Sequence, residues 1–203
     1  MGNLKGLICT ILLVVVNVVV FFLLSLGGMT EDGLYMLDHG AMYAPAFITY
    51  KEYYRIFTCM FLHFGFEHLM NNMITLLIVG RHLEPVVGKV KFLMIYFLSG
   101  IGGSALSLLV EWCTEDFAIS AGASGAIFGL TGALLSLTIL NGGYIAGVTK
   151  QGMFIVIAIS LYNGFASGGV NNLAHIGGLL TGFVLSFLLC WKSNAKRRSN
   201  TYF

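Results

Sequence analysis

Charge is what this sequence has least of. Lys, Arg, Asp and Glu make up 10% of its 203 residues, against roughly 25% in an average soluble domain. A chain so poor in charge, 57% hydrophobic and with a mean hydropathy of +0.86, reads as a membrane protein and excludes an ordinary soluble domain. Its 11 basic and 9 acidic residues leave a net charge of only +2, too small a surplus for a nucleic-acid partner. Cysteine patterning is missing as well. Cys9, Cys59, Cys113 and Cys190 show no C-x-x-C spacing and lie in or beside apolar runs, so a zinc site, a disulfide scaffold and a Cys59–Cys113 bridge are all unexpected.

What the chain does have is hydrocarbon-like sequence in blocks. Its length allows about six spans of ~20 residues joined by short loops. The runs fall at 7–26, 68–83, 92–110, 124–140, 152–162 with a few more residues at either end, and 173–191. The first follows the single cation Lys5 and lacks an A-x-A-like cleavage site, which favours a retained anchor over a removed signal peptide. Between the first two runs, segment 27–66 contains Tyr35, Tyr43, Phe47, Tyr50, Tyr53, Tyr54 and Phe57. It is too polar to span and too aromatic for a hydrated linker, so it is placed at the membrane surface, where tyrosine is favoured.

Charge sets the orientation. Lys5, then Arg81, Lys89 and Lys91, then Lys150, then the tail with Lys192, Lys196, Arg197 and Arg198 alternate with loops holding Glu31, Asp32 and Asp38 and then Glu111, Glu115 and Asp116. With the cations on the cytoplasmic side, both termini are cytoplasmic and the acidic loops lie outside. A weak attraction of the tail to anionic lipid is expected, though an orientation signal is the simpler account of it.

Two glycine-rich strings stand out from this background: Gly122-Ala123-Ser124-Gly125 and Ala174-His175-Ile176-Gly177-Gly178. A helix over 124–140 covers about 25 Å, short of the ~30 Å hydrocarbon layer, so a helix anchored at the inner face starts Ser124 below the outer surface. Irregular backbone before it at that depth requires protein cover or a wet cavity. Ser124 also opens its helix, so unpaired backbone N–H groups and the positive end of the helix dipole converge there.

Gly122 and Gly125 leave room for a substrate backbone. The row Gly125, Gly129, Gly132 and the pair Gly178 and Gly182 let helices pack closely, and packing is the simpler account of them. An imidazole inside the membrane is costly unless it serves a site or is satisfied by neighbours, so His175 is either structural or functional. No Asp or Glu is expected within the later spans, leaving Ser124 and His175 as a dyad without a third acid. On the second run, His68 and Asn72 stand at i and i+4 on one face, as oxyanion donors or as a polar cap with interhelical hydrogen bonds.

Taken together, His63-x-x-x-x-His68-x-x-x-Asn72, Gly-Ala-Ser-Gly at 122–125 and Ala-His-x-Gly-Gly at 174–178, preceded by Tyr54-Arg55, resemble the rhomboid family of intramembrane serine proteases over about residues 50–190. The resemblance implies an all-α membrane protein, a compact bundle of six transmembrane helices with a large membrane-surface loop between helices 1 and 2. It implies a single domain over 1–203, with its core at about 50–191 and a basic tail at 192–203. Ser124 would be the nucleophile and His175 the general base and then acid. The Ser124 backbone N–H with the His68 and Asn72 side chains would form the oxyanion pocket, and Arg55 would anchor the large loop.

Two positions depart from the family's frequent residues. Phe128 stands where a tyrosine is frequent, keeping a ring to stack on His175 but losing a phenol, and Tyr54 replaces a frequent tryptophan. Neither removes a group needed for bond cleavage.

The expected activity is cleavage of transmembrane segments of other membrane proteins, with no metal and no cofactor, in a cell membrane of bacterial type. Small residues such as Gly125 and Gly129 would favour a small side chain before the scissile bond. Competing protease patterns are absent. His63 to His68 has one residue too many for H-x-x-E-H, there is no H-E-x-x-H, no span carries paired acids, and Ala126 breaks G-x-S-x-G. Two other classes stay open: an inactive rhomboid-like protein that binds membrane helices without cutting, and a small transporter. The first would be expected to lack Ser124 or His175, and the second to line a through-path with polar groups.

Overall fold

A computed structural model describes residues 6–167 and 169–199, with side chains over 6–166 and 169–190. Lys5 and the side chains of Lys192, Lys196, Arg197 and Arg198, on which part of the orientation reading depends, lie outside the described residues. Every hydrophobic run forms a helix. The long ones are α1 (Ile8–Gly27), α5 (Gly65–Val87), α6 (Lys89–Thr114), α7 (Ser124–Leu140), α8 (Lys150–Ser167) and α9 (Asn172–Ser199). By length and composition α1, α6 and the Asn172–Cys190 part of α9 are long and apolar enough to cross a membrane.

Segment 27–66 is not plain loop. It folds into α2 (Gly33–Asp38), α3 (Ala44–Ile48), α4 (Arg55–Thr58) and a 3-10 turn at Cys59–Phe61. Asp32 caps α2 by accepting from the Leu34 and Tyr35 N–H groups, the usual role of an aspartate just before a helix. A two-residue hairpin, β1 (Tyr144–Ile145) with β2 (Val148–Thr149), joins α7 to α8.

The periodicity of each helix decides what it buries. α5 buries Leu69, Asn72, Met73, Leu76, Val79, Gly80, Leu83 and Glu84, an i, i+3, i+4, i+7 stripe, and exposes Phe66, Met70, Ile74, Leu77 and Ile78. α1 lies antiparallel on it. Glu84 of α5 accepts from the N–H groups of Cys9 and Thr10 (2.9 and 2.8 Å) and from the Thr10 hydroxyl (2.6 Å). At the other end Phe21 meets Phe66, ring centroids 6.3 Å apart. A carboxylate is buried here because it satisfies the orphan donors at the start of α1.

α7 is apolar all round and buried from Gly125 through Thr138 but for Phe128, packed among α5, α6, α8 and α9. Its two buried threonine hydroxyls are satisfied within the helix: Thr131 donates to Ile127 O, and Thr138 to Leu134 O and Leu135 O. α9 runs parallel to α7. A methyl at Gly178 would strike the carbonyl of Gly125, one at Gly182 the carbonyl of Gly129, and Ser186 Oγ donates to Ala133 O at 3.1 Å. α6 runs antiparallel to both, with Gly103 against Ala174 O and Lys91 Nζ donating to Leu189 O at 2.8 Å. The starts of α5, α7 and α9 and the ends of α1, α6 and α8 therefore share one end of the bundle.

The glycine row thus serves packing. Gly129 is closed off by Ser99, Gly178 and Gly182, so it cannot shape a substrate pocket as the sequence reading allowed. Replacing Gly178 by Leu should cost about 1–3 kcal/mol by forcing α9 off α7, read as a lower unfolding temperature in detergent micelles. Wild-type stability in that variant would contradict the backbone-to-backbone contact.

Candidate active site

α6 and α7 differ in length, and the difference makes a recess. Gly100 of α6 lies level with Ala126 of α7, and Ser104 lines a cavity together with Ser124. From Ser104 α6 continues to Thr114, about 15 Å farther at 1.5 Å per residue. Ser124 therefore opens α7 well below the end of its neighbour. The cavity beside it, ≈ 30 Å³ and lined by Cys59, Met60, Ser104, Gly122, Ser124 and Asn171 among others, has room for about one water molecule.

Parallel register of α7 and α9 brings Ser124 and His175 together. His175 Nε2 lies 2.9 Å from Ser124 Oγ, and the imidazole is 7% exposed. Phe128, one turn after Ser124, stacks on that imidazole at 4.2 Å between centroids and 12° between planes. The ring is thus fixed by one hydrogen bond in its plane and one aromatic face beside it.

His68 approaches from α5. Its Nδ1 accepts from the Phe64 N–H at 3.3 Å, which places the proton of a neutral ring on Nε2. That nitrogen faces Gly122: a methyl there would lie 2.9 Å from His68 Nε2 and 3.6 Å from Ser124 Oγ. Gly122 has φ +137°, so its backbone and its surroundings both demand glycine. His63 stands behind, fully buried, accepting from the Ala123 N–H at 3.5 Å with its ring edge-on to His68. Asn72 sits one turn along α5 from His68 and donates through Nδ2 to His68 O at 2.9 Å. Among the described residues it makes no hydrogen bond to Ser124, and one of its two amide N–H groups is left for another acceptor.

Segment 27–66 holds the approach to the serine. Met42 and Ser120 exchange backbone hydrogen bonds of 2.8 and 2.9 Å, and Gly122 N–H donates to Cys59 O at 2.9 Å. Arg55, 5% exposed, ties this segment together through Nη1 to Leu37 O (2.6 Å) and Ala41 O (2.8 Å) and through Nε to Glu52. Cys59 is buried and Cys113 exposed, and all four thiols are free.

Three polar residues near the site carry roles that no motif had marked. Glu111 belongs to α6 and is buried, which corrects its assignment to an outer loop; helix α6 extends four residues beyond the expected Val110. It can do so because Ser107 Oγ donates to Glu111 Oε1 at 2.6 Å and Asn171 Nδ2 donates to Ser107 Oγ at 2.7 Å. The i, i+4 spacing of Ser107 and Glu111 was the available signal. α8 likewise reaches Ser167, a few residues beyond the run at 152–162.

Residues 50–192 match the Rhomboid domain profile. The chain belongs to the rhomboid family. Rhomboid protease GluP of Bacillus subtilis (strain 168) is 36% identical over 174 residues, 86% of this chain and 33% of GluP. RHOMBOID-like protein 5 of Arabidopsis thaliana is 41% identical over 140 residues, 68% of this chain and 44% of that protein. RHOMBOID-like protein 6, mitochondrial, of the same plant is 44% identical over 141 residues, again 68% and 44%. This rhomboid chain thus spans less than half the length of each of these relatives. As a member of a family that includes serine proteases, and with its apolar helices, it is a multi-pass membrane protein.

Because Arg55 serves one buried and one half-buried carbonyl and a carboxylate, Arg55→Ala should lower stability by about 2–3 kcal/mol, and Arg55→Lys, lacking the planar fork, should recover little of it. Thermal unfolding in micelles reads this directly, and an unshifted Arg55→Ala midpoint would remove the anchoring role.

Proposed function

We propose that this rhomboid is an intramembrane serine endopeptidase that cleaves transmembrane segments of other membrane proteins with Ser124 and His175. The observation that carries this reading is the 2.9 Å contact between Ser124 Oγ and His175 Nε2 at a recessed helix start beside a water-sized cavity. In the same proposal α1, α5, α6, α7, α8 and α9 all cross the bilayer. The proposal takes the side bearing Arg81, Lys89, Lys91 and Lys150 as the cytoplasmic side of a bacterial-type plasma membrane, with both chain termini on that side and segment 27–66 on the outer membrane surface.

Neutral His175 takes the Ser124 proton on Nε2 as Oγ attacks the scissile carbonyl carbon. The carbonyl π electrons move onto oxygen, and the oxyanion accepts from the Ser124 backbone N–H, from His68 Nε2–H and from the Asn72 amide. His68 suits this role because the Phe64 N–H already occupies its Nδ1. Collapse of the intermediate expels the amine, which leaves with the proton held by His175. Water from the cavity then attacks the acyl-enzyme, giving its proton to His175; as this second intermediate collapses, the bond to Ser124 Oγ breaks, Oγ takes the proton back from His175, and the carboxylic acid departs and ionises in water. No step calls on a metal or cofactor. A regular helix hides its carbonyls in hydrogen bonds, so the substrate segment must be locally unwound at the cut.

The test is labelling of purified protein with a fluorophosphonate probe, the adduct located by mass spectrometry, alongside cleavage of single-span reporter proteins. Ser124→Ala and His175→Ala should each lower cleavage by at least about 10⁴-fold while remaining folded. A folded wild type that takes no adduct would favour the inactive, helix-binding alternative. Asn72→Ala should slow turnover by about 10- to 1,000-fold, and an unchanged rate would return Asn72 to its bond with His68 O alone.

A further inference from the structure

His175 has no carboxylate beside it, yet a buried carboxylate lies three hydrogen bonds away along one continuous chain. Glu111 Oε1 accepts from the Ser107 hydroxyl (2.6 Å), and the Ser107 oxygen accepts from Asn171 Nδ2 (2.7 Å). Asn171 Oδ1 accepts from the Ala174 N–H (3.0 Å), and the Asn171 carbonyl accepts from the His175 N–H (3.2 Å). Each link fixes the next. Because the Ser107 O–H donates to Glu111 Oε1, the serine oxygen faces Asn171 as an acceptor. That acceptor fixes which end of the Asn171 amide faces α6, so Oδ1 must face α9. There it serves as the N-cap of the helix whose first turn holds His175.

We infer that Glu111, Ser107 and Asn171 are positioning residues that set the first turn of α9, and with it the distance from His175 Nε2 to Ser124 Oγ. The inference rests on the proposed roles of Ser124 and His175. It adds a link from a helix that supplies neither of them. α6 and α9 meet closely at this level, where Gly103 abuts Ala174 O and Gly177 abuts Gly102 O. The polar chain therefore spans a contact at which neither helix can shift independently.

Positioning differs from simple stabilisation in what it changes. A loosened His175 slows proton transfer from Ser124 without altering how a small probe occupies the cavity. The experiment measures, in full-length protein, the maximal rate of fluorophosphonate labelling at Ser124, the half-saturating probe concentration and the unfolding temperature. Ser107→Ala and Glu111→Ala should each lower the maximal rate by about tenfold or more, with half-saturation within about twofold of wild type. Glu111→Gln, whose amide oxygen still accepts from Ser107, should recover most of the rate. Asn171→Ser keeps a capping hydroxyl but cannot reach Ser107, so it should fold with a near-wild-type unfolding temperature and still label slowly.

Wild-type labelling rates in Asn171→Ser and Ser107→Ala would overturn the inference and leave the hydrolase reading standing. So would a rate loss that follows unfolding temperature across the set with no recovery in Glu111→Gln. A folded wild type that does not label at all would overturn both. Should Ser107→Ala or Glu111→Ala not fold, Asn171→Ser and Glu111→Gln decide.

Discussion

The close contact of α7 with α9 is the constraint from which the rest of this structure follows. Gly125 against Gly178 and Gly129 against Gly182 place backbone on backbone, and any side chain at Gly178 or Gly182 would push the helices apart. In a bilayer, where lipid tails are as apolar as leucine, such packing is a main source of helix association. The same register sets Ser124, just before Gly125, beside His175, one turn before Gly178. A slip by one helical turn would displace the two groups by about 5.4 Å, so the 2.9 Å contact tests the register as well as the site.

A polar site at this depth needs its neighbours held as firmly as its own atoms. Segment 27–66 does this from outside the bundle. Arg55 gathers the carbonyls of Leu37 and Ala41, Met42 pairs with Ser120, and Cys59 O takes the Gly122 N–H. These contacts satisfy irregular backbone that neither helix nor sheet could satisfy, which is the condition for such backbone to exist near hydrocarbon.

The long helices were legible because their hydrophobic runs are long. The start of α7 at Ser124 was legible because small residues and a serine interrupt such runs. The residues 122–125 and 174–178 could be found by pattern, and their mutual approach follows from two glycine rows with matching i, i+4 spacing. The short helices of segment 27–66 were not read from the sequence: each is 4–6 residues long, too short for a hydrophobic period to show, and only Asp32 before α2 and Pro45 in α3 mark their starts. The hairpin after α7 was missed as well. It turns on Gly142, Gly143 and Gly147 at positive φ and on Ala146 at φ +51°, and its anchor, His82 Nδ1 on Ala146 O, ends on a main-chain carbonyl.

Charge counting misled at the two acids that matter most. Glu111 was taken as a loop marker, and Glu84 drew no attention among the cations near it. The working rule for placing a carboxyl group in such a chain is supply of donors. Glu84 has three donors at the start of α1; Glu111 has one, the Ser107 hydroxyl backed by Asn171, on Oε1, and no hydrogen-bond partner for Oε2 among the described residues. The same rule explains why the acid stands apart from the imidazole. A carboxylate directly against His175 would need its own donors there, and the groups packed on that imidazole are the Ser124 hydroxyl, which it already engages, and the Phe128 ring, which offers none. Phe128 fixes the imidazole plane without any donor, while Glu111, held by the Ser107 hydroxyl, acts through a helix cap. The division keeps the charge off the imidazole while still tying the position of His175 to it.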